Sequence, residues 1–167
     1  LRHSGSGNTG ATNVLRTAGA GLGVATLLGD GLKAALPTWI AWALSGQIEV
    51  ASGVALAAVL GHCFPVTAGF RGGKGVACAL GALLVLAPSA AGVAALAFAL
   101  LVGFSRIVSI GSLAGAAVAL LATIGLGYPT AVIGSTAAMS TVIWLRHHAN
   151  LRRLVAGTEP HLSAPKG

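Results

Sequence analysis

The chain is poor in charge and poorest in acids. Of 167 residues only Asp30, Glu49 and Glu159 are acidic, against ten Lys and Arg. Charged residues make up 8% of the chain, where a soluble domain carries roughly 25%, so these side chains cannot solvate a globular surface. The shortage also excludes chemistry. A carboxylate-bridged Mg²⁺ site needs acids in company. The several aspartates of a CDP-alcohol phosphotransferase are missing. Asp30 is the only Asp and position 25 is Ala, so a His-x4-Asp acyltransferase dyad is impossible. A Ser-His-Asp triad would have to draw Asp30 from within an apolar run.

Cysteine and aromatic residues are scarce too. Cys63 and Cys78 have no metal-ligand spacing with the histidines and read as small packing residues without a disulfide. Aromatics are 5% of the chain, and the basic residues are dispersed with no aromatic interleaf, which excludes nucleic acid as a partner.

What is there is apolar: 55% hydrophobic residues and a mean hydropathy of +0.87. Long uncharged runs read as an all-α polytopic transmembrane bundle, a single domain over 1–167. The runs are 20–44, 50–70, 75–105 and 107–145. As one helix 75–105 would measure about 46 Å, too long for a hydrocarbon core of about 30 Å, and Pro88 predicts a turn near 86–90. Gly127-Tyr128-Pro129 divides 107–145 in the same way. Six spans result. That count puts Arg2, Arg16, Arg71, Lys74, Arg106, Arg146, Arg152, Arg153 and Lys166 on one side and no Lys or Arg in the opposite loops. The asymmetry predicts that both ends are cytoplasmic. Residues 1–19 are polar, and Thr12 or Asn13 is expected to cap a short interfacial helix running through Arg16. Asp30 and Lys33, three apart, share a helix face and can pair.

The same count gathers four polar, glycine-rich clusters on one face: 2–16, 61–75, 105–112 and 146–159. Positive-inside topology asks for Lys and Arg there. It does not ask for Ser6, Asn8, Thr12, Asn13, His62, Ser109, Ser112, His147 and Asn150 as well. The richest cluster is 61–75 (GHCFPVTAGFRGGKG). Its glycines allow close backbone approach to a ligand, and Arg71 and Lys74 flank Gly72 and Gly73 as an oxyanion site would require. It is not a Walker A loop, since Gly75 follows Lys74 where Ser or Thr belongs. Lys74, Arg71, Arg16 and one or more of Arg146, Arg152 and Arg153 can converge on phosphate, with Ser6, Asn8, Ser112 and Asn150 fixing its orientation. Such a site suits a substrate with its own leaving group, acyl phosphate for example, and acts by orientation and charge stabilisation without metal or cofactor. A base, if one is needed, is His62, His147 or the substrate's phosphate.

Residues 5–16 (GSGNTGATNVLR), 61–77 (GHCFPVTAGFRGGKGVA) and 146–159 (RHHANLRRLVAGTE) resemble the three motifs of the bacterial PlsY family, and 105–112 (SRIVSIGS) is similar to a fourth family segment. These are integral-membrane acyl-phosphate:glycerol-3-phosphate acyltransferases. The resemblance implies seven transmembrane helices, of which this chain holds the last six, the first lying before motif one and absent here. It implies transfer of an acyl group from acyl phosphate to the 1-hydroxyl of glycerol 3-phosphate, giving lysophosphatidic acid. It also implies a bacterial plasma membrane location, a cytoplasmic active site, and neither metal nor covalent acyl-enzyme. Ser6, Arg16, Lys74, Ser112, His147 and Asn150 fall at the family's active-site positions. Lys74 and Arg16 would bind phosphate, Ser6 and Ser112 would hold phosphate or substrate oxygens, and His147 and Asn150 would orient glycerol 3-phosphate. Asn8, Thr12, Asn13, His62, Gly72, Gly73 and Glu159 would support them. The family usually has Lys at Arg71, Arg at His148 and Tyr at Ile107, with Pro common at Thr9. Membrane lipids are the expected surroundings and a monomer the expected state. The competing class is a transporter of a phosphorylated metabolite, which should show internal repeats and paired polar residues at the midplane. No repeat is visible, and only Asp30 and Lys33 lie deep.

Overall fold

The structure, a computed structural model, describes residues 10–162. Among them every regular element is a helix: α1 Ala11–Ala18, α2 Ala20–Ser45, α3 Ile48–Cys63, α4 Val76–Leu86, α5 Pro88–Ser105, α6 Val108–Gly125, α7 Thr130–Arg146 and α8 His148–Val155. A short 3₁₀ turn, Val66–Ala68, follows α3.

Each apolar run becomes a helix and breaks where its sequence breaks. α4 stops at Leu86, and α5 starts with Pro88 in its first turn, where a missing N–H leaves no bond unmade. The 127–129 segment separates α6 from α7. α2 runs on through Pro37. The Thr38 hydroxyl donates to the Ala34 carbonyl at 2.7 Å, a use of Thr side chains common around prolines in lipid. The expected cap of α1 is corrected. Thr12 and Asn13 lie inside the helix and Gly10 is its N-cap, because the Asn13 N–H already bonds the Gly10 carbonyl at 3.0 Å.

Among the described residues three segments are long and apolar enough to cross a membrane: Ile48–Ala68, α5 and α6. α4 has 11 residues, about 16 Å at 1.5 Å per residue, roughly half of a 30 Å core. α7 has 17 residues, and α2 carries Asp30 and Lys33 along its length. Length and composition therefore establish three of the six expected spans.

Packing inverts the arrangement of a soluble protein. Many fully buried positions are alanines, among them Ala34, Ala51, Ala55, Ala82 and Ala90, while Leu44, Leu96, Phe104 and Leu121 point outward. Small residues inside let helices approach closely, and large apolar ones outside meet lipid. α2 and α4 approach closely: a Cβ on Gly81 would stand 2.1 Å from the Gly31 carbonyl oxygen. α5 lies along α6, and α7 packs against both α3 and α6. Alternation of helix direction brings the 64–75 loop, the α5–α6 corner and the α7–α8 corner to one end of the bundle.

Candidate active site

The 64–75 loop is built to carry one lysine. Beyond the 3₁₀ turn the chain folds back on the end of α3: Gly72 N–H donates to the Cys63 carbonyl and Gly73 N–H to the His62 carbonyl, both at 3.2 Å. A Cβ on Gly72 would lie 2.0 Å from the His62 oxygen, and one on Gly73 2.0 Å from His62 Nε2. At Gly72 the clash is with backbone and no side chain fits; at Gly73 a side chain would have to displace the His62 ring. From the other side Arg146 donates through Nε to the Gly73 carbonyl at 3.1 Å and through Nη2 to the Gly72 carbonyl at 2.8 Å. Its guanidinium also lies 5.3 Å from the Phe64 ring centroid. Arg146 thus braces the loop.

Lys74 follows, and its Nζ donates to Asn150 Oδ1 at 2.6 Å. Asn150 Nδ2 donates in turn to Glu159 Oε1. Glu159 also accepts from Ser109 Oγ at 2.7 Å and from Arg153 Nε at 2.7 Å. An ammonium only donates and a carboxylate only accepts, so the Asn150 amide has one orientation that satisfies both. Arg153 thereby balances Glu159.

Electrostatics follow from this placement. Burial pushes the Lys74 ammonium down to about 8; Glu159 opposes the shift, and Arg153, Arg16 and Arg146 add to it. Burial would raise the Glu159 carboxyl, but bonds from Asn150, Ser109 and Arg153 outweigh it and hold the group below its ordinary value. His147 is pushed down to about 4, by burial and then by Lys74, against the Ile143 carbonyl and Glu159. Its Nδ1 lies 2.7 Å from the Ile143 carbonyl oxygen. A carbonyl only accepts, so Nδ1 carries the proton and Nε2 the lone pair.

These groups line one cavity of about 630 Å³. Thr12, Asn13, Arg16, His62, Lys74, Ser112, His147, Asn150 and Glu159, all expected site residues, contribute to its wall. Arg16 also bonds the Pro160 carbonyl at 3.2 Å, so the segment after α8 closes one side. The Ser112 hydroxyl donates back to the Val108 carbonyl at 2.9 Å and keeps its lone pairs for a donor. Gly72 and Gly73 stand behind the wall as the seat of Lys74. Arg71 is exposed and lies outside the wall. Ser6 and Asn8 lie outside the described residues.

Two features escaped the sequence reading. One is the apolar limb of the cavity, lined by Leu80, Leu83, Phe98, Ala119 and Met139 among others. In sequence these residues look like ordinary packing. The other is the company of Asp30. The expected ion pair with Lys33 forms at 2.7 Å, but Asp30 also reaches the cavity wall. One ligand atom each from Asp30, His62 and Cys78 lies within 4.8 Å of the others, a donor set able to hold a cation. The Lys33 ammonium, 2.7 Å from Asp30 Oδ1 and 3.4 Å from His62 Nδ1, already supplies a positive charge there.

Comparison with known proteins identifies the family and the fold. The family model described as glycerol-3-phosphate acyltransferase matches residues 1–157. A glycerol-3-phosphate acyltransferase of Syntrophotalea carbinolica is 50% identical over 98% of this chain and 84% of its own. One of Anaeromyxobacter sp. is 47% identical over 97% of this chain and 82% of its own. Among solved structures, the glycerol 3-phosphate form of PlsY (YgiH), an integral membrane glycerol 3-phosphate acyltransferase, superposes with a TM-score of 0.93 at 39% identity, covering 97% of this chain and 82% of that one. The lysophosphatidic acid form gives 0.90 at 39% identity, over 93% and 80%. Fold, motifs and relatives converge, and the chain belongs to the glycerol-3-phosphate acyltransferase family of integral membrane proteins.

Proposed function

We propose that this protein transfers a fatty acyl group from acyl phosphate to the 1-hydroxyl of sn-glycerol 3-phosphate, releasing 1-acylglycerol 3-phosphate and inorganic phosphate. The carrying observation is the single cavity that joins a cationic end to an apolar limb. A phosphate fits the first and a fatty chain the second.

Lys74 and Arg16 hold phosphate as cations, with Ser6 and Ser112 on phosphate or substrate oxygens. Arg71, exposed on the loop and outside the cavity wall, adds only its long-range positive field. His147 and Asn150 orient glycerol 3-phosphate, with Nε2 of His147 accepting from its hydroxyl. That hydroxyl oxygen attacks the acyl carbonyl, a new C–O bond forms, and the bond from the acyl carbon to the phosphate oxygen breaks. With His147 pushed down to about 4, the ring is a weak base. The departing inorganic phosphate, a dianion at neutral pH once it leaves, is the better proton acceptor and takes the hydroxyl proton. Six spans with both ends cytoplasmic put this site at the inner face of a bacterial cell membrane, in keeping with the cation asymmetry.

The test uses full-length protein, acyl phosphate and glycerol 3-phosphate, with the lysophospholipid read by mass spectrometry. Product is expected with acyl phosphate alone. Product only with acyl-CoA or acyl carrier protein would overturn the donor assignment.

A further inference from the structure

Asp30 is a carboxylate on α2, in an apolar stretch where an ionised group is costly unless it is paired. A structural ion pair with Lys33 would satisfy it. Yet the Lys33 side chain is 52% exposed and that of Asp30 11%, so the pair is lopsided, with Asp30 turned inward. On the inner side Asp30 Oδ1 stands 3.5 Å from His62 Nδ1. The backbone carbonyl of Asp30 accepts from Cys78 Sγ at 2.9 Å, in the first turn of α4. Asp30 therefore touches both helices that flank the glycine loop.

The His62 ring is the link. Its Nδ1 edge faces Asp30 and Lys33, and its Nε2 edge sits where a Cβ of residue 73 would be. The contacts at Nδ1 are long for hydrogen bonds, so the ring is wedged between the ion pair and the loop as much as it is bonded. The His62 carbonyl binds Gly73 N–H, and Arg146 takes the carbonyls of Gly72 and Gly73. The next residue is Lys74.

We propose that Asp30 is a positioning residue for the transfer reaction: its carboxylate seats the His62 ring against Gly73, and the loop so held delivers Lys74 Nζ to Asn150. This rests on the phosphate-binding role given to Lys74 above. Substrate need not touch Asp30. Without the charge, Lys33 swings to water, the His62 ring loses its partner, and the loop keeps only its backbone bonds to the end of α3 and the Arg146 brace.

The test compares Asp30→Asn, His62→Gln and the double variant in the full-length enzyme, across pH. Each single variant is expected to lower kcat/KM about tenfold or more, and the double to be no worse than His62→Gln alone, because residues acting through one contact do not add. Asp30→Glu, which keeps the charge, is expected to retain more activity than Asp30→Asn. The alkaline fall in kcat/KM, set in wild type by Lys74 at about 8, is expected to move upward in the variants as a loosened Lys74 regains water. Additive losses, or an alkaline limb that stays in place while activity falls, would overturn the proposal. If Asp30→Asn fails to assemble, the limb of His62→Gln decides by the same criterion. A silent wild type would overturn the acyl-transfer reading and this inference together; an active wild type with unaffected variants overturns this inference alone.

Discussion

Lys74 Nζ donates to Asn150 Oδ1 at 2.6 Å across 76 residues of sequence, joining the glycine loop before α4 to the helix after α7. The bond places a buried cation beside a fixed amide, with Glu159 behind it.

Lys74 gives the pH profile its alkaline side. An unperturbed lysine titrates near 10.4, and here the group is lowered to about 8. Between those values the unfolded chain binds the proton and the folded one does not. The cost of the buried cation is thus full below 8, and folding stability rises with pH through the window. Phosphate binding moves the other way, because the neutral amine above 8 has no charge to offer. kcat/KM should fall above about pH 8. Lys74→Arg should lower activity but shift the fall to higher pH, since a guanidinium stays protonated. A profile flat to pH 10 would contradict the role given to Lys74.

Glu159→Gln should disable the Asn150 switch-point. The carboxylate accepts from Asn150, Ser109 and Arg153, and an amide nitrogen would set donor against donor. Bonds to charged groups contribute roughly 1.5–3 kcal/mol each, so loss of one predicts a fall in kcat/KM of about tenfold or more. The same carboxylate, held below the ordinary value of 4.5, contributes stability that is present at neutral pH and lost as pH falls through its lowered value. Thermal unfolding in detergent should show wild type losing more than Glu159→Gln on acidification.

Arg146→Lys isolates geometry from charge. One ammonium cannot reproduce the two donors that reach Gly72 and Gly73. A carbonyl left short of its partner, at about 1–3 kcal/mol, predicts a loss near tenfold in kcat/KM with net charge unchanged. Wild-type kinetics in this variant would show that the brace is dispensable.

Ala119→Phe should shorten the accepted chain. Ala119 is buried and lines the apolar limb, ten residues along α6 from Ser109, or about 15 Å. Turnover of long-chain acyl phosphates should fall by about tenfold or more, the equivalent of 1–3 kcal/mol of overpacking, while short-chain donors change little. Equal loss for both would place the acyl chain elsewhere.

The bundle and the cationic end of the site were legible in the sequence because polarity in an apolar chain has few explanations. Lys74, His147 and Asn150 stood out for that reason, and Pro88 marked a real break. The partners of the arginines were not legible. Arg146 and Arg153 lie in one motif, yet one braces a loop 73 residues away and the other balances Glu159. Which partner each finds depends on how helix ends meet. The apolar limb was invisible for a simpler reason: an alanine that lines a cavity and one that packs a helix have the same hydropathy. Arg71 and Lys74 are three apart in one motif, but the first is exposed and the second lines the cavity. The difference comes from the stretch through Gly72 and Gly73, which runs back along the end of α3 and bonds the Cys63 and His62 carbonyls.

The reach of the Lys74–Asn150–Glu159 chain also bears on biosynthesis. Lys74 leaves the ribosome well before the amide and carboxylate that complete its surroundings, and Glu159 comes after the last long helix. A chain threaded only as far as α7 holds the cation without its acceptor, and Arg16 without the Pro160 carbonyl that it binds. Insertion intermediates should therefore be catalytically silent, and a protein stopped after residue 146 should yield no product even when it is retained in the membrane.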